Sequence, residues 1–358
     1  MILPIKPPYP PMEALLVGEI PAGENWEYEP KWDGFRCLAF RDGEKVELQS
    51  KSGQSLERYF PEVVDALLKL KAIKFVLDGE LVIPAGSAGI AGSPAGQPRR
   101  GAMLPAERRE ALGFSFDALL QRIHPAASRV AKLAKETPAH FIVFDLLVDE
   151  TGKPLYDLPL TKRRPKLESF AKKYLTKNPD IELSPKTNNI AVAREWLSTT
   201  GVKLDGVIAK RLDLPYRSGE RDGMQKVKRM RTADCVVGGF RYASKGRVVG
   251  SLLLGLYDEA GALHHVGYTS SFTEAEKKEL TKKLEPLIQA PGFTGNKPGG
   301  PSRWSTKKTS EWEPLATKLV AEVQFDHFTG GRFRHGTKFL RWRLDKKPSR
   351  CGFDQLAS

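Results

Sequence analysis

Two acidic-glycine insertions inside otherwise apolar runs constrain this chain more than any other feature. Asp78-Gly79-Glu80 is preceded by Phe75-Val76-Leu77 and followed by Leu81-Val82-Ile83, and Asp205-Gly206 opens Val207-Ile208-Ala209-Lys210. Short runs of this kind read as buried strands. A carboxylate on a buried strand costs free energy unless it holds a cation or accepts hydrogen bonds. Each acid could instead be a turn residue beside a glycine, the commoner explanation for either one alone. Taken with the lysine clusters below, Glu80 and Asp205 suggest a Mg²⁺ site that bridges protein and phosphates.

Around these runs the chain alternates strands and helices. Residues 35 to 50 read as a β-hairpin, with Phe35 to Arg41 and Val46 to Ser50 joined at Asp42-Gly43. Phe75 to Ile83, His140 to Val148 and Leu204 to Lys210 read as strands, and Pro61 to Leu70 as a helix. Phe116, Leu119, Leu120 and Ile123 fall at helical spacing behind a capping Ser115, which predicts an amphipathic helix packed on a sheet. Residues 84 to 113 are rich in small residues and carry Arg99, Arg100, Arg108 and Arg109. They read as a mobile loop, either a tolerated insertion or a basic strap that orders on a polyanion.

After Lys228 the pattern becomes a meander, Cys235 to Tyr242, Gly250 to Tyr257 and Leu263 to Tyr268. A helix follows, with Thr273 and Glu276 in capping-box spacing and Leu280, Leu284, Leu287 and Ile288 as its apolar face. Strands near Leu319 to Phe325 and Lys338 to Arg343 bring the count to five strands and one helix, which suits an OB-fold. Domains are therefore expected at 1–230 and 231–358, with a hinge near Arg229 to Ala233.

Lys31, in Glu29-Pro30-Lys31-Trp32-Asp33-Gly34-Phe35-Arg36, is expected just before the first hairpin strand. A lysine ammonium is no nucleophile until it loses its proton, and nearby cations or a metal favour that loss. Lys226 and Lys228 stand two apart, so on a strand both project from one face. Two ammonium groups there would hold a phosphate and stabilise the charge it gains in a transition state. Alone, such a pair is usually an exposed polar strand face. Phe144-Asp145 offers a ring for a purine, or is simply core. Arg341-Trp342-Arg343-Leu344-Asp345-Lys346 reads as a cationic strand suited to pyrophosphate, with Asp345 orienting Arg343 or Lys346. The six histidines show no metal-ligand spacing.

Composition narrows the class. With 358 residues, 28% charged and a formal charge of +14, the chain suits two soluble domains and either a polyanionic partner or a generally basic surface. Cys37, Cys235 and Cys351 form no zinc-type pairs, which fits a reduced protein without disulfides. No signal peptide or run of membrane-spanning length is present in the sequence, so a cytoplasmic location is expected.

With these residues assembled, the chain resembles the covalent nucleotidyltransferases, the superfamily of ATP-dependent DNA ligases, RNA ligases and mRNA-capping guanylyltransferases. The resemblance is carried by Lys31-Trp32-Asp33-Gly34-Phe35-Arg36, Ser50-Lys51-Ser52-Gly53, Asp78-Gly79-Glu80, Phe144-Asp145, Asp205-Gly206-Val207-Ile208-Ala209-Lys210, Lys226-Val227-Lys228 and Arg343-Leu344-Asp345-Lys346. Gln121-Arg122-Ile123-His124-Pro125, Arg231-Thr232-Ala233-Asp234-Cys235 and Gly250-Ser251-Leu252-Leu253-Leu254-Gly255 are most similar to bacterial DNA ligases of the mycobacterial ligase C type and to the ligase module of ligase D. Lys51 stands where the family usually has Arg, Asp205 where it has Glu, and Met224 where Trp is common.

The resemblance implies an α+β chain: a nucleotidyltransferase domain of ATP-grasp-like antiparallel sheets with helices, then a β-barrel OB-fold. It implies an ATP-dependent DNA ligase that seals 5′-phosphate/3′-hydroxyl nicks in DNA repair, with Mg²⁺, or Mn²⁺ in its place. Lys31 would carry AMP, Glu29 would read the adenine amino group, and Trp32 would border the nucleotide. Arg36 and Lys51 would lie near ribose and the DNA 5′-phosphate. Glu80 and Asp205 would serve ribose and metal, Phe144 would stack on adenine, and Lys210, Lys226 and Lys228 would contact phosphate. Arg343, Asp345 and Lys346 would act on pyrophosphate, the barrel swinging between two poses. The expected partner is nicked duplex DNA, gripped by the two catalytic domains of a monomer, with a repair polymerase or end-binding protein as further partners and no membrane. The rivals are an RNA ligase, a capping-type guanylyltransferase, and a non-enzymatic OB-fold nucleic-acid binder.

Overall fold

The computed structural model describes residues 2–85, 113–198, 204–244, 246–299 and 311–356. The chain divides into two compact units, Met1–Arg229 and Met230–Ser358. Of the basic segment 84–113, only Pro84, Ala85 and Gly113 are described, and Arg99, Arg100, Arg108 and Arg109 lie outside the described residues.

The described strands of the first unit are β1 (Leu15–Leu16), β2 (Trp26–Lys31), β3 (Phe35–Asp42), β4 (Lys45–Ser50), β5 (Lys74–Val82), β6 (His140–Val148), β7 (Ile181–Leu183), β8 (Gly206–Arg211) and β9 (Met224–Val227). They form two sheets, ordered β1-β9-β8-β2 and β4-β3-β5-β6-β7. Pairing is antiparallel except where β1 meets β9 and β7 meets β6. The β3–β4 hairpin turns at Gly43, whose φ of +65° a glycine adopts without penalty. Every residue of β6 is buried, His140 and Asp145 included, as its mostly apolar sequence and its two paired edges favour.

Helix Pro61–Leu68 begins with a proline at its first turn, where no backbone N–H is needed, and buries Val63, Ala66 and Leu67. Helix Phe116–Arg122 is capped by Ser115, whose Oγ accepts from the Ala118 N–H at 3.2 Å. Phe116, Leu119 and Ile123 pack on the sheet core with Phe60 and Phe141, but Leu120 is half exposed. The apolar face expected there is narrower because the helix is only seven residues long and meets the core along one edge.

In the second unit the strands are β10 (Arg231–Tyr242), β11 (Val249–Tyr257), β12 (Leu263–Thr269), β13 (Glu313–Pro314), β14 (Val320–Phe325), β15 (Phe328–Thr329), β16 (Arg332–Phe333) and β17 (Lys338–Trp342). The main path runs β12-β11-β10-β14-β17, with β13 beside β10. A parallel bridge between Thr269 and Thr337 joins the end of β12 to the start of β17, and the Thr337 N–H donates to the Tyr268 carbonyl at 3.0 Å. That link closes a five-stranded barrel of OB-fold order around Val236, Leu252, Leu254, Val266 and Val323. Helix Glu274–Leu284 carries the expected capping box and buries Leu280 and Leu284. Ile288, expected on the same face, is exposed, because the helix gives way to a 3₁₀ turn at Glu285-Pro286-Leu287. No helix among the described residues is long and apolar enough to cross a membrane.

Candidate active site

Both sheets of the first unit contribute to one cavity of about 170 Å³. β2 supplies Glu29 and Lys31, β8 Lys210 and β9 Lys226; β3 supplies Arg36, β5 Glu80 and β6 Phe144. Glu29 and Lys31 share a face because strand side chains repeat every second residue. Trp32 and Lys51 also line the cavity, as do Pro11, Met12, Glu13 and Ala14, which no sequence signal marked.

Lys31 ends β2 rather than merely preceding a strand, since its backbone pairs with Gly206 and its carbonyl accepts from the Asp205 N–H at 2.9 Å. Its ammonium is paired with Asp205 Oδ2, which Lys228 Nζ also reaches at 3.3 Å. Asp205 itself stands just before β8, so the strand expected from Leu204 starts later. Gly206 explains the spacing: its φ is +147°, and a Cβ there would run into the Val227 carbonyl. Gly34 is likewise closed to a side chain by the Leu81 carbonyl. Lys226 lies on β9, but Lys228 falls just past its end, so the two do not share one strand face as expected. Burial, and then the fields of Lys31, Lys228 and Lys51, lower the pKa of Lys226.

Glu29 is buried at the base of the cavity. Lys210 Nζ donates to its Oε1 at 2.7 Å and Arg164 Nη1 to the same oxygen at 3.1 Å. Burial raises the Glu29 carboxyl although both cations pull it down. Lys210 also donates to the Phe144 carbonyl at 3.1 Å and sits 4.7 Å from the Phe144 ring centre, while the Arg36 guanidinium lies 4.5 Å from it. Trp32 Nε1 donates to Ser184 Oγ at 3.0 Å, and the ring meets Phe114 edge-on at 5.7 Å. Lys51 is exposed and pairs with Glu13 at 3.1 Å.

Asp78 is a strand residue, not a turn, and is fully buried. It receives Arg36 Nε and Nη2, both at 2.6 Å, and the Tyr216 hydroxyl at 2.6 Å. Burial opposes the charge on Arg36, but Asp78 overrides it and raises the pKa. Asp145, next to Phe144, is held in the same way by Arg163, at 2.9 Å through two bonds. Burial pushes the Glu80 carboxyl up to about 7 against the pull of Lys31 and Arg36. Among the described residues no group of three His, Cys, Asp or Glu could hold a metal ion by itself. Mg²⁺ asks for less, one or two carboxylates with water and substrate phosphates completing its shell. Glu80 and Asp205, both acting on Lys31, fit that donor set.

In the second unit, β17 ends at Trp342, so Arg343, Asp345 and Lys346 lie in the turn after the strand and not on it. Arg343 donates to Asp345 through Nε and Nη2 at 3.0 and 2.8 Å, and that contact holds the Asp345 carboxyl at about 2. Both Arg343 and Lys346 also reach Asp234, a residue the sequence did not single out for this role. A separate concave face of the barrel, about 1090 Å³, is lined by Arg241, Tyr268, Lys277, Lys297, Arg332 and Arg334 among others. Arg241 Nε and His265 Nε2 are buried there with no hydrogen-bond partner among the described residues.

Residues 17–92 and 101–228 match the model of the ATP dependent DNA ligase domain, and residues 245–346 that of the ATP dependent DNA ligase C terminal region. The chain belongs to the ATP-dependent DNA ligase family. It is 44% identical to DNA ligase C1 of Mycolicibacterium smegmatis, over 99% of this chain and 96% of that one. It is 38% identical to DNA ligase C of Mycobacterium tuberculosis, again over 99% and 96%. A solved structure named Pmar-Lig_Pre shares the fold at 16% identity, with a TM-score of 0.59 over 94% of this chain and 69% of that one. The expected likeness to the ligase C type is thus borne out, and family membership removes the rivals outside DNA ligation.

Proposed function

We propose that the protein seals nicks in duplex DNA through an AMP carried on Lys31. The observation that carries this reading is the placement of Lys31 in a cavity that also holds Glu29, Phe144, Lys210 and Lys226. In the first step Lys31 Nζ attacks the α-phosphorus of ATP, a P–N bond forms, and the bond to the leaving pyrophosphate breaks. Asp205 orients the amine, and Lys226 and Lys228 stabilise the charge that grows on the phosphoryl oxygens. Glu29, fixed by Lys210 and Arg164, reads the adenine edge, Phe144 and Trp32 bound the base, and Arg36 and Lys51 border the ribose and incoming 5′-phosphate.

Glu80 and Asp205 would hold Mg²⁺, which supplies charge neutralisation on the phosphates. In the second step an oxygen of the nick's 5′-phosphate displaces Lys31 from the AMP phosphorus, and in the third the 3′-hydroxyl displaces AMP. Arg343, Asp345 and Lys346 serve pyrophosphate departure. The cations that line the concave barrel face, with Arg241 Nε lacking a hydrogen-bond partner among the described residues, support a role in gripping DNA phosphates. The proposed setting is DNA repair by a cytoplasmic monomer.

The test is a sealing assay on a duplex with one nick. Joining should require ATP, a divalent cation and a 5′-phosphate. Joining of RNA ends but not of the DNA nick, or joining supported by GTP and not ATP, would overturn the proposal.

A further inference from the structure

Asp234 is a charged residue inside a barrel strand whose neighbours Ala233, Cys235, Val236 and Val237 are all core. Its two carboxylate oxygens accept from Arg343 Nη1 at 3.0 and 2.9 Å, and Oδ2 accepts from Lys346 Nζ at 2.8 Å. Its backbone is clamped as well: the N–H donates to Gln355 Oε1 at 2.8 Å and the carbonyl accepts from Gln355 Nε2 at 3.1 Å. Glu322, opposite Asp234 in the ladder, is occupied by Arg341 at 2.6 Å. Asp234 is thus the carboxylate on which both flexible cations converge.

Stability alone is a poor reason for a charge here, because an apolar residue of similar volume often serves a barrel as well as a compensated ion cluster does. Geometry is a better one. Arginine and lysine side chains have many rotamers, and a carboxylate fixed on a strand holds their ends at a set spacing before any ligand arrives. Arg343 then keeps its Nε–Nη2 edge, now on the exposed Asp345, for exchange with another oxyanion.

We propose that Asp234 is a positioning residue for the first step, presetting Arg343 and Lys346 for the β- and γ-phosphates of ATP. It touches no substrate and acts only through those two cations. The proposal rests on the reading above that Arg343 and Lys346 serve pyrophosphate departure.

The test uses the full chain with ATP, Mg²⁺ and nicked DNA. Asp234→Asn keeps the shape and removes the charge. It should slow lysyl-AMP formation at saturating ATP at least tenfold, change the KM for ATP less than threefold, and leave sealing of a nick that already bears 5′-AMP within twofold. Combined with Arg343→Ala, it should be no slower in adenylation than Arg343→Ala alone, since both changes break one unit. If Asp234→Asn melts below the assay temperature, Asp234→Glu carries the same comparison, with adenylation at least threefold slower and pre-adenylated sealing unchanged. Slow adenylation in Arg343→Ala and Lys346→Ala but not in the Asp234 variants would overturn this proposal alone. Normal adenylation in Arg343→Ala and Lys346→Ala would remove the reading on which it rests. Equal losses in adenylation and in pre-adenylated sealing would make Asp234 a structural support and likewise overturn it.

Discussion

Arg36 with Asp78 and Arg343 with Asp345 are the same pair of groups joined the same way, through Nε and Nη2 to two carboxylate oxygens. They differ in their surroundings. Asp78 is wholly buried and also takes a tyrosine hydroxyl, whereas the Asp345 side chain is 68% exposed. A buried carboxylate with three donors cannot leave without stranding a guanidinium, so the first pair is scaffold. An exposed pair gains little over its hydrated halves, so the second is free to exchange partners. The difference assigns fixed geometry to the cavity around Lys31 and exchangeable contacts to the turn after β17.

The largest effect should come from breaking the buried pair. Asp78→Ala is expected to lower the unfolding free energy by about 3–5 kcal/mol, measured by urea denaturation, because the largely buried Arg36 guanidinium then loses both carboxylate bonds and keeps only a 3.4 Å contact to the Met12 carbonyl and the Phe144 ring face. Asp345→Ala should leave the denaturation midpoint in place. Equal effects of the two would erase the distinction. Next, Lys226→Ala should slow lysyl-AMP formation tenfold or more, about 1.4 kcal/mol of transition-state stabilisation. A change confined to the KM for ATP would instead make Lys226 a ground-state contact.

Smaller effects are expected on the barrel. Arg241→Ala should flatten the slope of log affinity for nicked DNA against log salt by about one unit, with adenylation unchanged. An unaltered slope would take the concave face out of the DNA-binding surface. The smallest effect is a pH response. His265 is pushed down to about 4 by burial, then by the fields of Arg241 and Arg332. As pH falls from about 6.5 towards 4 the unfolded chain takes up the proton first, so the second unit should lose stability over that window. His265→Gln should shed that part of the loss. An identical pH profile in the variant would show that His265 does not carry it.

Much of the cavity was legible because its chemistry is local in sequence. The apolar runs around Asp78 and Asp205 placed Glu80 and Lys210 on strands, and Lys31 was expected just before one, although β2, which carries Glu29 and Lys31, was not read; the five-strand count of the barrel followed from its own runs. The residues that fix those side chains were not legible, because they come from far along the chain. Arg164 reaches Glu29 across 135 positions and Tyr216 reaches Asp78 across 138, with no spacing to reveal either. Asp234 is hidden for the same reason, since its partners lie 109 and 112 residues later. Strand ends were missed at Lys228 and Arg343 because a ladder stops where its partner stops. β9 ends opposite Val207 and β17 opposite Ala321, and propensity in a single run says nothing of that.

The central claim is that Lys31 carries the nucleotide. Mass spectrometry of the protein after incubation with ATP and Mg²⁺, with peptide mapping of the adduct, tests it most directly. An AMP adduct on Lys31, absent from Lys31→Ala and absent when GTP replaces ATP, is the predicted result. An adduct on another lysine, or one that persists in Lys31→Ala, would contradict it.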